Sequence, residues 1–245
     1  MHSNRLRGAA AVLALLVLQA CDGARDTGPD QGGLTLASEK KLDADEVCSP
    51  DGEFTLDSDH PWFPLTPVLR QWVYQGEDDG QVLDLVVTVL DETEVVAGVT
   101  TRVLEEHESL DGHVVEISRN FFAQAEDGSI CYFGEDVDIF DPETGEIVSN
   151  EGAWRADNPD SGPGLFFPAD LQPGTTFQQE NAPNAMDEGK IVGRAGLVEL
   201  EAGEFPETLR ILERNPLDGD KDYKIYALGV GLIMDAEAEL VSFTE

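Results

Sequence analysis

Three kinds of residue in this chain could do chemistry: cysteines, a run of carboxylates and a few histidines. Cys48 and Cys131 would meet in an oxidising compartment as a disulfide, and closing so long a loop would stabilise the fold by at most about 4.5 kcal/mol. Buried free thiols are the alternative, and two cysteines alone make a weak metal site. Asp136, Asp138, Asp141 and Glu143 stand close enough in sequence to offer Ca²⁺ some of the six to eight oxygens it takes. They lack the Asp-x-Asp-x-Asp-Gly run with a distant Glu, and the alternation along residues 131–140 puts Asp136 and Asp138 on a solvated face. Asp218, Asp220 and Asp222 support the same idea less strongly. A two-residue Asp111-Gly112 turn would pair Leu110 with His113 and His107 with Glu116, on opposite faces, so these histidines would not share a metal. His60 precedes a proline and reads as structural. There is no Gly-x-Ser-x-Gly elbow, His-Glu-x-x-His motif, phosphate loop or dinucleotide fingerprint. A carboxylate-based hydrolase needs only two acids, and a chain with 50 of them supplies pairs by chance. The balance favours a protein that is not an enzyme.

The N-terminus gives an address. Arg5 and Arg7 precede an apolar run from Gly8 to Leu18, which ends in Leu18-Gln19-Ala20-Cys21. A charged start, a short apolar core and a small residue before the cleavage point mark an export signal, too short to serve as a stable span. The stretch resembles bacterial lipoprotein signal peptides, which implies removal of residues 1–20, lipidation of Cys21 and anchoring by acyl chains. Asp22 implies the periplasmic face of the inner membrane if sorting follows the enterobacterial pattern. With 15 basic residues against 50 acidic ones, the chain carries a formal charge of −35. That field repels phosphate backbones, which excludes nucleic acid as a partner and leaves the membrane to the lipid anchor.

The elements that must position these residues read as strands. Residues 21–58 are rich in Gly, Asp, Glu and Lys without a periodic apolar face, and read as a lipidated, flexible acidic tether. A single β domain is expected over 59–245, opening at His60-Pro61-Trp62-Phe63-Pro64-Leu65. Turn signals recur at short intervals, at Asp79-Gly80, Asp111-Gly112, Asp127-Gly128, Asp141 to Gly145, Gly203 and Asp218 to Asp220, with period-two runs between them. Leu83, Leu85, Val87 and Val89 make one dry face. Val115, Ile117 and Phe121 make another, opposite Glu116, Ser118, Asn120 and Gln124, with Arg119 intruding on the apolar side. Cys131, Phe133, Val137 and Ile139 read as the dry face of a central hairpin. No segment beyond residue 21 has helical periodicity over an ordinary helix length. The expected fold is all-β, an antiparallel meander of about ten or more strands with mostly hairpin connections, curled into a barrel or half-barrel. Pro163-Gly-Leu-Phe-Phe-Pro168 breaks the pattern as a loop whose Phe166 and Phe167 plug an open end or act as a ligand lid.

Trp62-Phe-Pro-Leu65, Trp72-Val-Tyr-Gln-Gly-Glu77, Val96-Ala-Gly-Val-Thr-Thr-Arg102, Glu151-Gly-Ala-Trp154 and Tyr226-Ala-Leu-Gly-Val-Gly-Leu232 together resemble a family of uncharacterised exported bacterial proteins, many of them lipoproteins. The resemblance covers residues 59 to 235 and implies no assigned activity and no catalytic residue. Pro67-Val-Leu-Arg-Gln-Trp72 and Cys131 depart from that family's pattern. A curled sheet on a lipid anchor is also similar in outline to lipid-carrying half-barrels of the envelope. The expectation is a membrane-tethered, non-enzymatic binding module for an apolar ligand or an envelope protein, with a Ca²⁺-binding structural lipoprotein as the alternative. No other cofactor is implied.

Overall fold

The computed structural model describes residues 40–58 and 60–244. Cys21, the signal at 1–20 and the tether up to residue 39 lie outside the described residues. A one-turn helix, α1 (Ala44–Val47), precedes β1 (Phe54–Thr55). Five longer strands follow: β2 (Gln71–Asp78), β3 (Gln81–Val96), β4 (Val99–Leu110), β5 (His113–Ala125) and β6 (Ile130–Phe140). Short strands come next: β7 (Ile147–Ser149), β8 (Trp154–Arg155), β9 (Gly164–Phe167) and β10 (Thr176–Gln178). The chain then runs through β11 (Glu188–Arg194), β12 (Val198–Leu200), β13 (Gly203–Phe205) and β14 (Thr208–Arg214). It ends with β15 (Lys221–Ala227), β16 (Gly231–Asp235) and β17 (Ala238–Phe243). No helix among the described residues is long and apolar enough to cross a membrane.

The fold is all-β and its sheet is antiparallel. One path runs β10-β11-β14-β15-β16-β17-β2-β3-β4-β5-β6-β7, with β1 added at β5 and with β8 and β9 added at β6. β12 and β13 form a separate hairpin. The path has two ends and does not close into a barrel. Tight turns explain the central meander: Asp79-Gly80, Ala97-Gly98 and Asp111-Gly112 each place two successive residues at positive φ. That is the backbone of a two-residue hairpin whose twist matches the strands it joins.

Two irregularities decide which side chains face inward. Between β4 and β5 the register shifts at Glu108/Ser109, so that Glu108 faces Glu116 and His107 faces Ile117. The simple turn count pairs Leu110 with His113 correctly but misses this bulge, and with it the pairing of His107. The second lies at Gly134, where φ is +129°. A Cβ there would sit 2.3 Å from the Trp154 carbonyl oxygen, so the close approach of β8 requires glycine. Phe122 pairs with Tyr132 and Asn120 with Glu135. One residue on β5, Phe121, thus opposes two on β6, Phe133 and Gly134, and side-chain parity reverses. Cys131 and Phe133 therefore lie on one face, while Val137 and Ile139 share the other with Glu135; they are not one continuous face.

The β5 assignment also inverts. Ser118 and Asn120 are buried, whereas Arg119 is exposed and pairs with Glu105 at 3.0 Å. Ile117 packs on that outer, partly wet side, and Glu116 points inward with Ser118 and Asn120. Residues 40–58 depart from the tether reading too. Cys48 and Cys131 are joined by a disulfide with a Cα–Cα distance of 5.6 Å. Phe54 pairs with Ala125 and stacks edge-on against Phe133 at 5.3 Å, and Lys41 bridges to Thr176. Short apolar pieces cover the outer face of β5 and β6 without any periodic run, so the folded domain begins by Lys40, not at residue 59. Finally, Pro163 to Pro168 is not a loop: Gly164–Phe167 is strand β9, paired with β6.

A candidate functional site walled by aromatics and carboxylates

The inward face of the sheet holds a cavity with about 50 Å³ of room for the centres of water-sized molecules. Its walls come from strands that are distant in the sheet. β2 and β3 supply Trp72, Tyr74, Leu85 and Val87; β4 and β5 supply Leu104, Glu106, Asn120 and Phe122; β15 and β16 supply Lys224, Tyr226 and Asp235. Phe166 enters from β9, and Phe63, Pro64 and Leu65 cover the cavity from the segment before β2.

The aromatic wall is a packed cluster. Phe63 lies 4.8 Å from Phe166 and 5.2 Å from Phe122, and Phe122 stacks on Tyr132 at 4.6 Å. Offset and edge-on arrangements at these separations suit ring quadrupoles. Phe166 thus lines the cavity. Its neighbour Phe167 points away from it, against Tyr226 at 4.9 Å and His60 at 4.7 Å. Of the two residues expected at a lid, one is wall and the other is core. The covering piece is Phe63-Pro64-Leu65, and polar contacts strap it down. Gly229 N–H donates to the Pro61 carbonyl at 2.7 Å, Arg70 Nη2 donates to the Gly229 carbonyl at 2.8 Å, and Trp72 Nε1 donates to the Val230 carbonyl at 2.8 Å.

The polar groups converge from both sides. Lys224 Nζ lies 2.7 Å from Glu213 Oε2 and 3.2 Å from Asp235 Oδ2, with all three side chains under 10% exposed. Burial alone would depress the lysine, but Asp235 and Glu213 outweigh it and hold Lys224 well above the ordinary range. Gln179 Nε2 donates to Glu213 Oε1 at 2.7 Å. Asp235 keeps its other oxygen, Oδ1, buried without a hydrogen-bond partner, and burial lifts its carboxyl to about 7 against the pull of Lys224. In the cavity wall, Tyr74 Oη donates to the Leu232 carbonyl at 2.9 Å, and the wall residue Asn120 accepts at Oδ1 from Tyr132 Oη.

Beyond Glu106 the inward face continues as a carboxylate row. Glu108 and Glu116 are directly opposed across β4 and β5, where like charges repel. Burial first, then Glu106 and Asp78, raises Glu108 to about 7. Burial first, then Glu108 and Glu106, raises Glu116 to about 8. Burial likewise lifts Glu106 and Glu135. On the other flank burial raises Glu180 to about 8 and Asp187 to about 7. This interior holds carboxylic acids that change charge near neutral pH, around one engaged cation.

The four acids singled out for Ca²⁺ lie elsewhere, each with its own partner or in water. Asp136 Oδ2 pairs with Arg155 Nη2 at 2.5 Å, and Asp138 Oδ1 accepts from Asn150 Nδ2 at 2.8 Å. Asp141 Oδ1 holds its own turn by accepting from Thr144 N and Glu143 N at 2.8 and 3.0 Å, which keeps its carboxyl below the ordinary value. Glu143 is exposed. Among the described residues no three His, Cys, Asp or Glu side chains are grouped to hold a metal ion.

Sequence reasoning missed Glu106, Asn120, Lys224 and Asp235. The available signal was the alternation Asp222, Lys224, Tyr226 on β15, a polar stripe ending in a tyrosine. It reads as a wet face unless the sheet is known to curl. No family model, curated protein or solved structure matches the chain.

Proposed function

We propose that this protein is a non-enzymatic binding module of the bacterial envelope, tethered through lipid at Cys21, whose sheet forms a half-barrel around a small, mainly apolar ligand. The observation that carries this reading is the cavity, walled by Phe63, Trp72, Leu85, Val87, Phe122 and Phe166 and bounded by a few polar groups. Largely apolar concavities with sparse, placed polar groups are what small-molecule sites are made of. The half-barrel is supported by the open strand path, whose two flanks meet where Gly162 N–H donates to the Asn181 carbonyl at 2.8 Å. It is supported also by β4 and β15 contributing side chains to one cavity. The lipid anchor rests on the Leu18-Gln19-Ala20-Cys21 sequence.

The test is native mass spectrometry of protein purified from its own host, with organic extraction of the same sample. A stoichiometric adduct that appears in the extract, and that falls away in Phe122→Asp, is the expected result. Protein of apo mass, with an empty extract, would defeat the binding reading.

A further inference from the structure

We infer that the cavity takes a small organic cation: an amine with a short alkyl body, its body against the aromatic wall and its ammonium group between Glu106 and Asp235. The inference rests on the binding reading above and names the chemical class of the ligand.

Charge complementarity makes the argument. Two of the polar groups lining the cavity, Glu106 and Asp235, are acids, and the only cation among the described lining residues is Lys224. That lysine is already held by Glu213 at 2.7 Å and Asp235 at 3.2 Å, so it is not free to receive an anion, and above the point near 7 where Asp235 ionises the triad carries a surplus negative charge. Glu106 lines the same cavity and brings a second carboxyl that an ammonium group would hold in its ionised form. An anionic ligand would enter a field of its own sign with no free cation to receive it. A neutral apolar ligand would leave the acids without a counter-charge. A metal ion lacks a group of three ligating side chains among the described residues.

Two further features point to the same class. Asp235 is 2% exposed, and its Oδ1 has no hydrogen-bond partner in the protein. A buried acceptor left open in this way is costly unless something donates to it, and an ammonium N–H is such a donor. Trp72, Tyr74, Phe122, Phe166 and Tyr226 present ring surfaces to the same space, and the faces of these rings are the negative pole of the quadrupole. Rings with adjacent carboxylates form the environment in which alkylammonium groups bind well.

Calorimetric titration of the full-length protein at pH 7.5 with three probes of matched size tests this. They are propylammonium, 1-propanol and butanoate. The expected order is ammonium over alcohol by about tenfold or more, the scale of one charge-assisted hydrogen bond, with the carboxylate weakest. Glu106→Gln, isosteric and outside the ion triad, should abolish most of that preference while leaving the affinity for the alcohol unchanged. Alcohol binding as tight as or tighter than ammonium would overturn the cation inference and leave the apolar-ligand reading standing. Failure of all three probes, with an apo mass spectrum from the host, would remove both. An ammonium preference that survives Glu106→Gln and Asp235→Asn alike would also overturn the inference, because it would place the cation outside the cavity.

Discussion

Lys224→Met takes the cation out of a buried triad, and the structure sets the size of the effect. Nζ lies 2.7 Å from Glu213 and 3.2 Å from Asp235, and the three side chains are 3%, 7% and 3% exposed. At an effective dielectric of about 20, each contact is worth on the order of 5–6 kcal/mol before desolvation. Desolvation offsets most of that, so the intact triad contributes little net stability. Removing one member is different, because it leaves two carboxylates buried with no counter-charge, at about 3–5 kcal/mol. Asp235 can escape by taking up a proton. It already titrates at about 7 beside the lysine, and without the lysine it moves higher. Each pH unit above that point then adds about 1.4 kcal/mol while that carboxyl is kept neutral. Urea unfolding followed by tryptophan fluorescence should therefore show a loss of about 3–5 kcal/mol at pH 8 and under about 2 kcal/mol at pH 5.5. Adding Glu213→Gln and Asp235→Asn should restore most of the loss at pH 8, since two neutral amides can pair with each other. A loss under about 1 kcal/mol at pH 8, or a triple variant no more stable than the single one, refutes the reasoning.

Glu108, Glu116, Glu180, Asp187 and Asp235 titrate at about 7, 8, 8, 7 and 7 in the folded protein, against 4.5 for Glu and 3.8 for Asp ordinarily. The folded state thus holds more protons than the unfolded state from roughly pH 4 to 8, and stability falls as pH rises through that window. The urea midpoint should be higher at pH 5 than at pH 8, and a midpoint that rises instead contradicts the buried-acid interior. Breaking the Cys48–Cys131 bridge, which spans 83 residues, should lower stability by up to about 4.5 kcal/mol. Cys131→Ala should also expose residues 40–58 to limited proteolysis, whereas an uncut segment would show that strand pairing alone holds it. Gly134→Ala would place a Cβ 2.3 Å from the Trp154 carbonyl at φ +129°, and should lose about 3 kcal/mol or more. An unchanged thermal midpoint would mean that β8 can move away freely.

Alternation and turn chemistry carried much of the fold in the sequence. The Asp-Gly turns at 79–80 and 111–112 are legible because few pairs of residues accept two successive positive φ values. The Leu83 to Val89 face is legible because its apolar side is also its buried side, with Leu83, Leu85, Val87 and Val89 all at most 6% exposed. Three features were out of reach for physical reasons. Bulges at Glu108/Ser109 and at Gly134 leave almost no mark in a period-two pattern, yet each moves every later side chain relative to its partner strand. The segment 40–58 is fastened by a covalent bond and by isolated apolar contacts, neither of which needs periodicity. Whether a long meander closes or stays open, as this one does, depends on twist accumulated over many strands, which no single strand encodes.

The site was hidden for a further reason. Alternation states that the two faces of a strand differ; burial of the apolar one is an added assumption, sound for a flat sheet on a single core. On β5 it fails. Glu116, Ser118 and Asn120 turn toward the interior, whereas Ile117 sits on the outer side beside the Arg119–Glu105 pair. A sheet whose inner face borders a cavity has that cavity to line as well as a core to fill, and polar side chains on that face are tolerated wherever the cavity leaves room for protons, water or a ligand. The polar alternations Glu106 with Glu108 on β4 and Asp222 with Lys224 on β15 therefore include the residues that give the cavity its charge. In a β protein this acidic, the informative carboxylates are the ones the sheet has turned inward against their solvation, because only those need a reason to be there.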